Sequence, residues 1–155
     1  EAHNNLGTVY AELKDWDRAI EEYKAALSDP LYPTPELAHY NLGYVLMERQ
    51  GREADLIEAV KEFHAAVQIR PKFSQALDKY GIALYRLNRN HEAIKRFKQA
   101  IEIAPDFMDP YLNLGIVYMK QGKKREAIQQ FKFVRERADD EKLIVEAERY
   151  LEMLE

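Results

Sequence analysis

The sequence predicts an all-α solenoid: about four stacked helical hairpins closed by one further helix. Three observations carry that reading. Residues recur 34 positions apart, as in Gly81 and Gly115, Ala59, Ala93 and Ala127, Phe63, Phe97 and Phe131, and Pro71 and Pro105. Four of the six glycines, Gly7, Gly43, Gly81 and Gly115, occupy one repeat position. A glycine inside a helix costs about 1 kcal/mol against alanine, so a packing demand must offset it; close approach of two helices, with the small alanine of the second helix opposite, is expected. Finally, 155 residues with 46% hydrophobic and 32% charged side chains suffice for one compact core, and six glycines and six prolines are too few for a disordered or collagenous chain.

The elements follow in order. Helices are expected near 2–13 and 16–28, where His3-x2-Leu6-Gly7-x2-Tyr10 precedes Ala19-x3-Tyr23. Gly7 and Gly43 are 36 residues apart, so a short insertion falls in Pro30-Leu31-Tyr32-Pro33-Thr34-Pro35, a rigid turn ahead of a helix. The second hairpin, near 34–49 and 55–69, carries His39-x2-Leu42-Gly43-x2-Leu46, Ala59-x3-Phe63 and Pro71. Gly43 to Ala59 spans 16 residues against 12 from Gly81 to Ala93, so four extra residues are expected to extend a Gln50–Leu56 turn, as a functional loop or a neutral one. The third hairpin, near 73–87 and 90–103, carries Leu77-x2-Tyr80-Gly81-x2-Leu84, Ala93-x3-Phe97 and Pro105. The fourth, near 107–121 and 123–137, carries Tyr111-x2-Leu114-Gly115-x2-Tyr118 and Ala127-x3-Phe131. Pro71 and Pro105 stop one hairpin and open the next. A last helix near 140–154 places Leu143, Ile144, Ala147, Leu151 and Leu154 on one face and reads as a cap. The first hairpin has no such cover, and the chain starts at Glu1 in what already reads as helix, which points to a fragment or processed form, with upstream sequence or a partner on that face.

These four in-phase copies resemble the tetratricopeptide repeat family, whose signature is W-x2-L-G-x2-Y, then A-x3-F, then P. The resemblance covers about residues 2–138, with repeats near 1–33, 34–73, 74–107 and 108–138 and a capping helix near 140–154. It implies a right-handed solenoid in one domain, whose concave face, lined by the first helix of each pair, binds extended or helical peptides. Counting from each glycine gives the groove as Asn5, Tyr40, Asn41, Tyr44, Met47, Lys79, Ile82, Tyr85, Leu112, Asn113 and Ile116, with Met119 beside them. Asn5, Asn41 and Asn113 stand before the Leu-Gly pair, with Lys79 at the same place. A row of amides can hold a peptide backbone without reading its sequence, or can be simple family preference. The tyrosines, methionines and aliphatic residues suit a contact surface, although some of them can equally belong to the core. Some family members grip a C-terminal carboxylate with a lysine–asparagine–lysine–arginine clamp; Asn4, Thr8 and Gln75 break that pattern, Asn41 fits it and Lys79 replaces the arginine, so no such clamp is expected.

A narrower resemblance links Asn4-Asn5-Leu6-Gly7 and Ser28-Asp29-Pro30-Leu31-Tyr32-Pro33-Thr34-Pro35-Glu36 to bacterial type IV pilus biogenesis and stability lipoproteins. It implies a periplasmic, outer-membrane-associated role in secretin or pilus assembly; without it a cytoplasmic adaptor is the expectation.

Chemistry is hard to find. His3, His39, His64 and His91 form no metal-ligand pair, and His91-Glu92-Ala93-Ile94-Lys95 has lysine where a zinc-protease helix needs its second histidine. Ser28 and Ser74 lie in no nucleophile elbow, and Gly122-Lys123-Lys124 lacks the glycine-rich approach of a phosphate loop. With no cysteine, disulfides and thiolate metal sites are excluded. No enzyme, cofactor or metal is expected, and no apolar run reaches membrane-span length. The charge is segmental: −7 over residues 1–69, +8 over 70–137 and −5 over 138–155. That asymmetry steers a charged partner or is an ordinary solvated surface. The leading expectation is a protein-binding scaffold. The alternatives are a charge-driven binder of an acidic partner, anionic lipid or nucleic acid through residues 70–137, and a self-associating module or homo-oligomer; no nucleic-acid motif is present.

Overall fold

The computed structural model describes residues 2–49 and 52–154. Among these residues the regular elements are nine helices: α1 Ala2–Glu12, α2 Trp16–Leu27, α3 Pro35–Glu48, α4 Glu53–Ile69, α5 Ser74–Arg86, α6 Asn90–Ile103, α7 Asp109–Lys120, α8 Lys124–Arg137 and α9 Glu141–Leu154. Each starts and ends within two residues of its expected position. Pro35 and Pro110 sit in the first turn of α3 and α7, where a missing N–H costs nothing.

Consecutive helices pack antiparallel as hairpins α1/α2, α3/α4, α5/α6 and α7/α8, and each second helix packs on the first helix of the next hairpin. First helices also touch one another, α1 on α3, α3 on α5 and α5 on α7, whereas among the described residues second helices do not pack backbone to backbone, α2 and α4 meeting through the Lys24–Glu58 ion pair at 3.0 Å. The stack therefore curves, with the first helices on its inner side.

The repeat glycines show what closes each hairpin. A Cβ at Gly43, Gly81 or Gly115 would lie 2.9, 2.5 or 2.6 Å from the ring of Phe63, Phe97 or Phe131, and one at Gly7 would lie 2.7 Å from Tyr23. The group opposite each glycine is thus the aromatic ring of the second helix, not its alanine as expected. The ring lies flat against bare backbone and is fully or almost fully buried in all four hairpins, a burial worth about 1.5–3 kcal/mol per side chain.

The turns inside hairpins one, three and four share one geometry. Lys14, Asn88 and Gly122, each seven residues past the glycine, have φ of 57°, 59° and 72°. The next N–H reaches back to the carbonyl of Tyr10, Leu84 or Tyr118 at 2.8, 2.9 and 2.9 Å, the Schellman ending of a helix. In hairpin two the insertion is built differently from the expectation. Gln50 and Gly51 lie outside the described residues, and Glu53–Leu56 form the first turn of α4 instead of a loop. That turn is tied down by charge. Buried Asp55 accepts from Arg49 Nη2 (2.6 Å) and Nε (3.1 Å) and from Arg52 Nε (3.2 Å), and Arg49 Nη1 donates onward to Asp17 of α2 at 2.8 Å. The Arg49 guanidinium holds the Asp55 carboxyl below its ordinary range.

Candidate peptide-binding groove

The inner wall consists of α1, α3, α5 and α7, and the structure divides the expected groove residues into three groups. Met47 and Leu112 are buried and offer no surface to a guest. Met47 packs into the main core, and Leu112 joins Ala127 and Phe131 in the cluster under α9. Both are core residues, a correction to their expected place on the open wall.

The second group spends its polar atoms within the stack, the two asparagines on the neighbouring hairpin and Lys79 on its own helix. Asn41 Nδ2 donates to Asn4 Oδ1 at 3.4 Å, and Asn113 Nδ2 donates to Asp78 Oδ1 at 2.8 Å. The amide row thus works as rungs between first helices, although each amide keeps its own oxygen. Arg86 Nη1 donates to the Met47 carbonyl at 3.1 Å, and Lys120 Nζ to Asn88 Oδ1 at 2.7 Å while lying over the Tyr85 ring. Lys79 Nζ stands 3.9 Å from Asp78 Oδ2. Asp78 itself is buried, and loss of water around it pushes its carboxyl up to about 6 against the pull of Asn113 and Lys79.

The third group stays accessible. Asn5 and Tyr44 are exposed, and Tyr40, Ile82, Tyr85 and Ile116 are half-buried. Tyr40 packs on Phe73 and Phe63 at ring separations of 5.0 and 6.1 Å, and burial raises its hydroxyl above the ordinary tyrosine range. Between α1, α2 and α3 an open cleft of about 410 Å³ is lined by Thr8, Glu12, Trp16, Tyr23, Tyr40 and Tyr44, among others. Trp16 and Tyr23 come from α2 and were missing from the expected set, because counting along first helices passes over them. The lone tryptophan of the chain was the available signal. The Tyr23 hydroxyl lies 3.3 Å from Thr8 Oγ1, which donates to the Asn4 carbonyl at 3.0 Å, so that side of the cleft is held in place.

The histidines in the aromatic slot are clasps within a hairpin. His3 Nδ1 pairs with Glu22 and His39 Nδ1 with Glu62, each at 2.6 Å, joining first to second helix.

Comparison with known proteins agrees with this geometry. The family described as Tetratricopeptide repeat matches residues 1–28, and that described as TPR repeat matches 81–122. These are tetratricopeptide repeats. Neither matching family is a catalytic one. No curated protein matches the chain. Solved structures similar to it include MamA (22% identity, TM-score 0.74, covering 96% of this chain and 91% of that one). They also include YrrB, described as a TPR protein with an unusual peptide-binding site (21%, 0.80, 96% and 73%). A tetratricopeptide repeat protein from Parabacteroides merdae ATCC 43184 is 20% identical with a TM-score of 0.81, covering 99% of this chain and 59% of that one. At these identities the likeness concerns the fold. Among the described residues of this tetratricopeptide repeat chain no helix is long and apolar enough to cross a membrane, and no group of three or more His, Asp or Glu side chains is placed to hold a metal.

Proposed function

We propose that the chain is a protein-interaction scaffold whose concave face holds a segment of a partner, anchored by an apolar side chain in the cleft beneath Tyr44. One observation carries the reading: three accessible aromatic side chains, Trp16, Tyr40 and Tyr44, converge on one open cleft of the inner wall, with the buried Tyr23 at its side. Rigid aromatics supply contact area at small entropic cost, which is why they dominate binding hot spots. The polar rungs nearby are already engaged across hairpins, so the wall is pre-organised and selects by shape and apolar contact more than by backbone hydrogen bonds. YrrB, described as having a peptide-binding site, shares the fold, which is consistent with this use.

A peptide-display library selected on the full chain tests the proposal. Enriched sequences should share one aromatic or large aliphatic anchor. The double variant Tyr44→Ala/Tyr85→Ala should weaken a selected peptide at least tenfold; affinity unchanged by that variant sinks the groove. The same titration separates the charge-driven alternative. Lys95, Lys98, Lys124, Arg125 and Lys132 stand exposed on α6 and α8, and binding through them would fall steeply with salt. Binding in the aromatic cleft would not.

The pilus-assembly role rests on residues 4–7 and 28–36, and several of these have a local task. Tyr32 is buried with Ala26 and Ala38 at the joint between hairpins one and two. Asp29 Oδ1 accepts from the Leu31 N–H at 2.9 Å, and Thr34 precedes Pro35 at the start of α3. The groove therefore supports a partner segment rather than any particular assembly.

A further inference from the structure

One repeat position changes sign along the inner wall. Five residues past each repeat glycine stand Glu12, Glu48, Arg86 and Lys120, on α1, α3, α5 and α7 in turn, all exposed. Glu12 lines the aromatic cleft, and Glu48 stands one turn past Tyr44 on α3. Arg86 Nη2 lies 4.0 Å from Glu48 Oε1, where the sign changes.

The two cations are held in place without being neutralised. Arg86 Nη1 donates to the Met47 carbonyl at 3.1 Å. Lys120 Nζ donates to Asn88 Oδ1 at 2.7 Å and lies 4.8 Å from the centre of the Tyr85 ring, so both its partners are uncharged. The carboxylates of the same two helices stand elsewhere. Asp78 is buried in its rung with Asn113, and Asp109 is at the opposite end of α7 from Lys120. The adjoining turn extends the same sign. In hairpins one to three an arginine at the turn pairs with a carboxylate at 2.6 Å, Arg18 with Asp15, Arg49 with Asp55 and Arg89 with Glu92. In hairpin four Lys123, at the place of Asp15 and Arg89, lies over the Tyr118 ring instead, and exposed Lys124 and Arg125 follow it.

We propose that the groove takes a segment with acidic side chains to one side of its apolar anchor, and that the back-wall cations direct that side toward hairpin four. The inference rests on the concave face being the binding surface. With the anchor beside Tyr44, the segment crosses α5 to reach α7. Two steps between packed helices cover roughly 16–20 Å, about five or six residues of extended chain. Acidic side chains at that distance meet Arg86 and Lys120, whose remaining N–H groups are free to donate. An acidic stretch pointing the other way meets Glu48 and Glu12. Lys14 also lines the cleft and offsets Glu12, so attraction at the back sets the direction more than repulsion at the front. Arg86 and Lys120 stand away from Gln75 and Lys79, the places a terminal-carboxylate clamp would use, and they suit side-chain carboxylates within a chain.

The test is a peptide-display selection run in parallel on the full chain and on its Arg86→Glu/Lys120→Glu variant. On the parent, sequences sharing the apolar anchor should be enriched at least fivefold in Asp or Glu about five or six residues to one side. On the variant those positions should turn to Lys or Arg while the anchor stays. A fluorescein-labelled peptide of the most enriched parent sequence is then the probe for anisotropy. Changing its acidic residues to their amides should weaken it at least fivefold at low salt and less than twofold at high salt, because screening removes only the charged contact. Arg86→Gln/Lys120→Gln should abolish the difference between the two peptides with circular dichroism unchanged, and Arg86→Lys/Lys120→Arg should keep it. Lys95→Gln/Lys98→Gln, on the outer side of α6, should alter it less than twofold. Anchored sequences without an acidic bias overturn this inference and leave the groove standing, as does a bias that survives charge reversal or is lost with Lys95 and Lys98. Sequences without a shared anchor overturn the groove itself, and this inference with it.

Discussion

The two ends of the stack are made of the same hairpin and finished in opposite ways. At the C-terminal end α9 lies on α8, Ala147 and Leu151 are buried, and the Tyr150 ring stacks on Phe131 at 4.9 Å and 14°. At the N-terminal end Leu6, Val9 and Leu13 face outward. The contrast runs inward from the ends. The rung between α1 and α3 is a neutral amide pair at 3.4 Å, whereas that between α5 and α7 ends on a carboxylate at 2.8 Å. The turn of hairpin one forces a lysine into the left-handed region, where hairpin four has glycine. In a solenoid, stability is roughly a sum of hairpin and nearest-neighbour terms. Hairpin one has the weaker rung and the costlier turn.

The largest expected effect breaks the comparison at its ends. Leu151→Asp would bury an unpaired carboxylate beside Phe131 and Val134 and should cost more than about 3 kcal/mol. Leu13→Asp, on the open face, should stay within about 0.5 kcal/mol. Urea unfolding of both variants measures the difference. Equal costs would mean that α9 does not serve as a cap.

Next in size is the rung at Asp78. Its folded carboxyl sits at about 6, above the ordinary value of 3.8. The folded state therefore holds the proton more tightly than the unfolded chain. The sign follows: the stabilising contribution is complete below pH about 4, is lost as pH rises to about 6, and stays lost above. The rise from 3.8 to about 6 corresponds to about 3 kcal/mol at most, so Asp78→Asn should stabilise the protein by about 1–3 kcal/mol at pH 7 and by almost nothing at pH 4. The variant also turns the back rung into the amide pair of the front one. Urea midpoints from pH 4 to 8 check this; a variant less stable than the parent at pH 7 would show that the Asp78 charge is worth more to the Asn113 rung than its desolvation costs.

How much of this was legible in the sequence depends on which neighbour a residue needed. The helices and their pairing were legible, because a 34-residue period fixes them locally. The glycine contact was only half legible. Ala93 and Phe97 are one turn apart on the same face of α6, and only the packing shows that the ring meets Gly81. Met47 and Leu112 were placed on the wall by counting, but the helix beside each turns it inward. The asparagines suggest in sequence either a grip on a guest or a family preference, since a donor aimed at the next hairpin looks the same in one dimension. Trp16 and Tyr23 escaped because the cleft is shared between two hairpins and no single repeat contains it.

The smallest effect tests the turn of hairpin one. At φ 57° the Lys14 side chain is strained, and a left-handed residue other than glycine costs about 1–2 kcal/mol. Glycine gives part of that back as unfolded-state entropy, so Lys14→Gly should stabilise by roughly 0.5–1 kcal/mol. Hairpin four supplies the reverse experiment. A Cβ at Gly122 would meet nothing within 4 Å, so Gly122→Ala changes the backbone preference alone and should destabilise by a similar amount. Asn88→Gly should gain less than Lys14→Gly, because asparagine tolerates this conformation. Thermal unfolding of the three variants should therefore rank Lys14→Gly above Asn88→Gly, with Gly122→Ala below the parent. If Lys14→Gly gains nothing, the turn strain is already relieved by fraying of hairpin one.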